Sequence, residues 1–415
     1  MRLRALRGGA LELRHGYGWM WTMDIDFALI GHQESWQAAA DVLAVLRGPQ
    51  HSPLPDDEIR DLLPWIPPRA VCHVEVRSKI GERAHGLYID SFIPPDRLED
   101  ADLRDNLARV RCAAACAINA GAKIVSLGGF SSILIEGNFD LLPERKDEGT
   151  RFTTGNSLTV AFIVQGIRKM CALEGRDLQR STLLLVGATG DVGSGCARCL
   201  APLVNRVLLC ARNPERLRRL AAELEGDGVQ RPFAKVEIAT DPHQFSAKAD
   251  VVICAASLAS PSLLLGHIAP GAIVCDAGYP KNLSPSARMP DAKVFFGGLG
   301  QITGGLSFQP DFRGILNRHP FPDVVHGCLL EGMALALDHR FEPFSQGRGY
   351  ITPERVEQIE TIAATHGIHL APLYNAAGPV EYGGVCQSRR SGGVSMKAIV
   401  CHSYGTPDVL KGKTV

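Results

Sequence analysis

At 415 residues the chain exceeds the size at which one hydrophobic core stops growing, so two or three structural units are expected. Lys+Arg and Asp+Glu each count 44, which leaves zero formal net charge and no global basic field for nucleic acid or an anionic membrane. Twelve irregularly spaced cysteines, several inside apolar runs such as Leu209-Cys210 and Ile253-Cys254, do not form a disulfide framework and point to a reduced, cytoplasmic protein. No apolar run approaches the length of a membrane span, and the N-terminus lacks an apolar signal core.

Residues 1–22 are rich in arginine and glycine without a clear pattern and read as a non-native or disordered extension, with Met23 as the expected start. From Phe27 a strand runs into Gly31-His32, followed by a helix from Glu34 to Leu46. Strands Ala70 to Ser78 and Arg83 to Ile93 flank the turn Lys79-Ile80-Gly81-Glu82, a hairpin signature. A helix with an alanine-rich stretch is expected from Leu103 to Ala120, then a short strand ending in Leu127-Gly128-Gly129-Phe130, then an apolar helix from Asn156 to Glu174. The joints Gly128-Gly129 and Thr154-Gly155-Asn156 lie at element ends, where backbone can approach a ligand. This stretch, 23–178, reads as an N-terminal α/β substrate domain.

Residues 179–305 alternate regularly between strands and helical or turn segments, with strands near 182–187, 206–211, 235–239, 250–256, 272–277 and 293–296. That alternation predicts a Rossmann-type doubly wound parallel sheet. Residues 306–375 read as a C-terminal helical section, with helices from Pro322 to His339 and Pro353 to His366. Each proline stands at an expected first helical position. Residues 376–415 read as a polar linker and a segment, Met396 to Leu410, that resembles the first strand of medium-chain dehydrogenases.

The strand Leu183-Leu184-Leu185-Val186 runs into Gly187-Ala188-Thr189-Gly190-Asp191-Val192-Gly193 and then a helix. In such a turn Gly187 allows the sharp bend, Gly190 lets backbone approach a pyrophosphate, and Gly193 lets helix and strand pack closely. The helix N-terminus adds free N–H groups and partial positive charge. At the end of the next strand an NAD site places an acid, but here the sequence is Ala211-Arg212. Arg212 suits a 2′-phosphate, so NADPH is the expected cofactor. Ser257 and Gly278-Tyr279-Pro280, at the ends of later strands, are expected near the ribose and nicotinamide.

Cys328 lies near a helix start beside Gly327 and close to His326, where a helix N-terminus could activate a thiol. Cysteine is equally at home as a small buried hydrophobe, and spacing alone leaves both readings open. His326, two residues away, falls on another helix face. Cys196 and Cys199 have redox-like spacing but sit in the helix behind the glycine turn, where structural thiols are expected. No His/Cys/Glu set shows zinc spacing.

Several segments then converge in order: Phe27 to His32, His85 to Ser91, Leu127 to Ile133, Arg151 to Asn156, Val186 to Gly193, Ala211-Arg212-Asn213 and Gly278 to Leu283. The chain resembles the long-chain acyl-(acyl-carrier-protein) reductases, fatty-aldehyde-forming enzymes of lipid metabolism that feed alkane biosynthesis. The resemblance covers about Phe27 to Leu373. It implies NADPH-dependent reduction of a fatty acyl thioester through a cysteine acyl-enzyme. The family nucleophile lies in Cys-x-x-Glu-x-Met, matched by Cys328, Glu331 and Met333, so the resemblance makes Cys328 the nucleophile. Ser132, Thr154 and Asn156 are loop donors assigned to the oxyanion. The pair His326-Gly327 departs from the family pattern.

The implied donor is acyl carrier protein, with coenzyme A left open, and Arg313, Arg318, Arg340 and Arg348 are candidates for a basic docking surface. An aldehyde-deformylating oxygenase is the downstream partner that such a product implies, and assistance by a divalent cation such as Mg is left open. Two other readings compete. One is a shikimate-dehydrogenase or glutamyl-tRNA-reductase-like oxidoreductase with a small polar substrate, and the other is a non-catalytic NADP(H)-sensing protein. Consumption of NADPH with a fatty acyl thioester separates them.

Overall fold

A computed structural model describes residues 24–98, 103–135, 138–143, 149–226, 235–257, 268–278, 281–283, 292–315 and 318–380, and the backbone of 397–401 and 410–414. The chain divides into two compact units, with the break after Val380.

The first unit begins with β1 (Phe27–Gly31), α1 (Trp36–Arg47), α2 (Asp56–Leu62), β2 (Arg69–Arg77) and β3 (Arg83–Asp90). It continues through α3 (Leu103–Asn119), β4 (Ile124–Leu127), α4 (Phe130–Ile135), β5 (Arg151–Thr153) and α5 (Asn156–Leu173). Here β3, β1, β4 and β5 run parallel, and β2 pairs antiparallel with β3 across the expected hairpin. β1 reads FALIG and is buried at all five positions, as a strand covered on both faces should be. Ser35 starts α1 by accepting a bond from the Ala38 N–H at 3.2 Å, so the helix begins two residues later than the acid Glu34 suggested.

The second sheet is built from β6 (Thr182–Val186), α6 (Asp191–Leu200), β7 (Arg206–Cys210), α7 (Pro214–Glu225), β8 (Lys235–Ala239), α8 (His243–Ser246), β9 (Val251–Cys254), β10 (Ile273–Asp276) and β11 (Lys293–Phe296). Its order is β11-β10-β9-β6-β7-β8, and all five neighbouring pairs are parallel. Counted from β6, this is the 3-2-1-4-5-6 order of the doubly wound dinucleotide fold, with the reversal of direction between β6 and β9. The expected fold class is therefore observed.

The remainder of the unit comprises β12 (Leu299–Ile302), β13 (Leu306–Gln309), β14 (Val324–His326), α9 (Gly327–Leu337), α10 (Pro353–Thr365), β15 (Ile368–Leu370), β16 (Tyr374–Asn375) and β17 (Gly378–Pro379). The expected helix start at Pro322 is corrected: Val324–His326 form a strand antiparallel to β12, and the helix begins at Gly327. Two β-branched residues beside an available partner strand outweigh the local proline signal. Pro353 does occupy a first helical position, with Thr352 capping the Arg355 N–H. β13 leaves this section and completes the first sheet by pairing antiparallel with β2.

α5 joins the two sheets. It packs on α6, α9, α10 and β10, which accounts for its apolar residues on every side. One continuous apolar core accordingly runs from Phe27 and Leu29 of the first sheet, through Leu158 to Ile167, to Leu183 and Ile253 of the second. In the second unit, β18 (Lys397–Cys401) and β19 (Leu410–Thr414) form an antiparallel pair.

Candidate active site

Three of the four parallel strands of the first sheet, β1, β4 and β5, end in the joints Gly31-His32, Gly128-Gly129 and Thr154-Gly155-Asn156. α9 lies directly against two of them. A Cβ on Gly155, which has a φ of +71°, would stand 2.0 Å from the Cys328 carbonyl oxygen. A Cβ on Gly128 would stand 2.7 Å from the Leu329 side chain. On α9 itself, Gly327 packs on the backbone of Thr159 and Gly332 on Ser126 Oγ. Small residues on both sides therefore bring the first turn of α9 into backbone contact with the strand ends.

Cys328 is the second residue of that turn and is buried, with 9% of its surface exposed. Burial pushes its thiol up to about 11, while N–H groups of Gly129, Leu329 and Cys328 itself pull it down. The unliganded protein therefore carries a neutral thiol at pH 7, held where a thiolate would meet a helix N-terminus. Because only the thiolate reacts, alkylation of Cys328 by iodoacetamide should rise about tenfold per pH unit from pH 7 to 10. Peptide mapping of the alkylated protein at each pH checks this, and a rate that levels off near pH 8 would contradict it.

One helical turn on, Glu331 is fully buried. Its Oε1 accepts from Thr153 Oγ1 at 2.5 Å, and its Oε2 accepts from Ser345 Oγ at 2.9 Å and the Leu158 N–H at 3.0 Å. Burial raises its pKa, and these three donors oppose the rise. The Leu158 N–H lies in the first turn of α5, so negative charge on Glu331 is placed at a helix N-terminus. The Ser345 N–H also donates to Thr153 Oγ1 at 3.0 Å, and the Thr154 N–H to the Ser345 carbonyl at 2.9 Å. Glu331 thus ties α9 to β5, α5 and the loop at 345.

Asn156 Nδ2 donates to Asp191 Oδ2 at 2.7 Å, and Thr154 Oγ1 lies 3.5 Å from the same oxygen. Asp191 opens α6 within the glycine turn. Cys328, Thr154, Asn156 and Asp191 therefore meet at one place. Ser132 does not join them by hydrogen bonding, since its hydroxyl donates to the Gly129 carbonyl at 2.8 Å. His326 occupies the N-cap position of α9 without a side-chain capping bond; it is half-buried, and desolvation lowers its pKa to about 4. Its Nε2 lies 3.8 Å from Glu34 Oε1.

The turn has the shape a dinucleotide needs. Gly187, with a φ of +82°, abuts β9, where a Cβ would lie 2.6 Å from the Ala255 carbonyl. A Cβ on Gly193 would lie 2.2 Å from the Gly187 carbonyl, so helix and strand touch there. Gly190 is open by comparison, its nearest neighbour at 3.3 Å. The crevice between β6 and β9 is the ligand-binding position of this topology. Ala188 is buried, whereas Thr189, Asp191 and Val192 are half-buried. Beyond β7, Ala211 is half-buried and Arg212 is exposed, without an ion pair among the described residues. Ser257 is exposed after β9. Gly278 is set by Asp276, whose Oδ1 accepts its N–H at 3.1 Å. Tyr279 and Pro280 lie outside the described residues.

With this geometry in place, sequence comparison is decisive. A long-chain acyl-(acyl-carrier-protein) reductase of Synechococcus elongatus is 33% identical over 354 residues, covering 82% of this chain and 97% of that protein. The chain belongs to this reductase family. An aminotransferase, PigE, of a Serratia species is 26% identical over 286 residues, which cover 66% of this chain and 31% of that protein. No family model matches. Among solved structures, the nucleotide-binding domain of glutamyl-tRNA reductase from Thermoplasma volcanium is 22% identical. It covers 34% of this chain and 86% of that domain, with a TM-score of 0.24, too low to carry any inference.

As a member of this family the chain is an oxidoreductase. Glu331 entered the sequence reading only as a match to the Cys-x-x-Glu-x-Met segment, with no role of its own, and its buried bonds to Thr153, Ser345 and Leu158 were not foreseen. Its signal was a lone acid inside the apolar helix segment Leu329-Leu330-Glu331-Gly332-Met333. Of the arginines considered for docking, Arg313 pairs with Asp311, Arg318 with Asp41, and Arg340 lies near Asp338 and Glu342. Arg348 instead acts electrostatically on Asp191. Among the described residues no group of three or more His, Cys, Asp or Glu is arranged to hold a metal, and no helix is long and apolar enough to cross a membrane.

Proposed function

We propose that the chain reduces long-chain fatty acyl thioesters, carried on acyl carrier protein, to fatty aldehydes with NADPH, through an acyl-enzyme on Cys328. The observation that supports this best is the contact between Gly155 and the Cys328 backbone, next to residues bonded to Asp191 of the glycine turn. A nucleophile and a dinucleotide turn are thereby joined through one three-residue joint.

In the first step the Cys328 sulfur attacks the acyl carbon, the carbon–sulfur bond to the carrier breaks, and the carrier leaves as a thiol with the proton that Cys328 gives up. One thioester replaces another, so little free energy is spent. The N-terminus of α9 and the Gly129 N–H stabilise negative charge at sulfur as the proton departs. NADPH, when bound, supplies the hydride that reduces the acyl carbon. The resulting thiohemiacetal anion on Cys328 takes up one proton and collapses, releasing aldehyde and restoring the Cys328 thiol. Gly190 would admit the pyrophosphate and Arg212 the 2′-phosphate, with Ser257 and Gly278 at the strand ends flanking the rest of the cofactor. Thr154 and Asn156 hold the joint that backs Cys328.

Incubating the protein with NADPH and long-chain acyl-(acyl carrier protein) should yield one fatty aldehyde per NADPH consumed. Absence of aldehyde with both this donor and acyl-coenzyme A would overturn the reading. In Arg212→Ala, loss of one charge-assisted contact of about 1.5–3 kcal/mol should raise the Kd for NADPH roughly tenfold to a hundredfold and leave that for NADH nearly unchanged. Fluorescence titration with both cofactors checks this, and an equal loss for both would remove Arg212 from the 2′-phosphate site.

A further inference from the structure

Asp191 carries two features that the proposed reaction does not by itself require. Its carboxylate is committed to the joint after β5, with Oδ2 held by Asn156 Nδ2 at 2.7 Å and by Thr154 Oγ1 at 3.5 Å. Its other oxygen, Oδ1, is buried and accepts no hydrogen bond. An unmatched buried carboxylate oxygen is costly, so its retention calls for an explanation. The backbone of the same residue lies in the first turn of α6, where no side chain caps the helix and the leading N–H groups have no partner within it. A phosphate received there would meet the Asp191 N–H and stand close to its carboxylate.

The joint that Asp191 holds is the one seated on the nucleophile. Gly155 lies between the two residues bonded to Asp191, and its Cα faces the Cys328 carbonyl too closely for any side chain. The Gly155 N–H is itself held by Thr153 Oγ1 at 3.3 Å, the hydroxyl that donates to Glu331. A change at Asp191 therefore cannot stay local, because it reaches the Cys328 backbone through a single packed residue.

We infer that Asp191 is a positioning residue that couples phosphate occupancy of the glycine turn to the setting of Cys328. The inference rests on the proposed reading of that turn as a cofactor site. An arriving pyrophosphate repels an ionised Asp191, whose carboxylate must then take up a proton or loosen its hold on Asn156. The charged groups that act on Asp191 are Arg198 on α6 and Arg348 from the loop before α10, both favouring the ionised form, and Glu331 on α9, which opposes it.

The test uses 2′-phospho-ADP-ribose, which has the phosphates of NADPH but no nicotinamide ring to shield the thiol. Its Kd is measured by calorimetry, and the alkylation rate of Cys328 by iodoacetamide is followed with and without it. In the full chain, saturation with the fragment should change the alkylation rate about fivefold or more, the low end of a coupling of 1–3 kcal/mol. In Asp191→Asn, which keeps the shape but removes the charge, the fragment should still bind and the rate should change less than about twofold. Asn156→Ala, which cuts the same link from the other side, should behave alike if the first variant does not fold. Undiminished coupling in both variants, or a thiol in the full chain indifferent to bound fragment, overturns the inference alone. Failure of the fragment to bind the full chain overturns the cofactor reading and the inference with it.

Discussion

Cys328→Ser should lose aldehyde formation by roughly a thousandfold or more while its affinity for NADPH stays unchanged. The substitution exchanges one atom of similar size in a buried first turn, so the contacts of Gly155 and Gly128 with α9 are preserved. Lost instead is a sulfur nucleophile that leaves as readily as it attacks. A serine ester in this position would lack the near-balanced exchange of one thioester for another and would collapse poorly after reduction. Cofactor affinity should hold because Cys328 enters the glycine turn only through the Thr154-Gly155-Asn156 joint, whose bonds to Asp191 do not involve the thiol.

A companion measurement separates chemistry from folding. Acyl thioester added without NADPH should leave the acyl group on Cys328 in the parent chain, located by peptide mass spectrometry, and on no residue of the serine variant. The other cysteines offer a useful contrast. Cys72, Cys196, Cys254 and Cys275 are buried, with thiols pushed far up by desolvation, whereas Cys112 is exposed. Acylation confined to Cys112, with Cys328 unmodified, would mean that exposure rather than the site selects the thiol, and would remove the acyl-enzyme.

How much of this arrangement the sequence disclosed depends on the range of the interactions involved. The glycine turn was readable because its three roles fall within seven consecutive residues, and the structure gives Gly187 and Gly193 the contacts that those roles require. Pairing of β13 with β2 was not readable. Leu306–Gln309 is short and carries no turn signal toward a partner more than two hundred residues earlier. The helix expected from Pro322 failed for a related reason, since the residue in first position was judged without the strand at Leu299–Ile302 that captures Val324 and Val325. In the site, Cys328 was singled out by the family resemblance of its segment, but the bonds that seat its helix join Thr153 and Leu158 to Glu331, residues 178 and 173 positions apart. Asp191 likewise was readable only as a member of the glycine turn. Only the fold sets it against Asn156.

Gly155→Ala should be the most damaging single-methyl change near the site, and Gly121→Ala provides its control. Both glycines have left-handed backbone, with φ of +71° and +80°, so each alanine carries a similar strain of about 1–2 kcal/mol. They differ in what the new Cβ meets. At Gly121 nothing lies within 4 Å, whereas at Gly155 the Cβ would stand 2.0 Å from the Cys328 carbonyl oxygen and 2.5 Å from its Cα. These are backbone atoms in a helix that Glu331 anchors on three sides, so no rotamer change relieves the clash. Either the joint retreats, pulling Asn156 from Asp191, or the first turn of α9 unwinds. Overpacking of this kind costs about 1–3 kcal/mol beyond the backbone strain, so denaturant unfolding should show Gly155→Ala clearly less stable than Gly121→Ala. Alkylation of Cys328 should be altered in the first variant and unchanged in the second. If the two variants matched in both stability and thiol reactivity, the close approach of Gly155 to Cys328 would not set the nucleophile, and the link from glycine turn to thiol would have to run elsewhere.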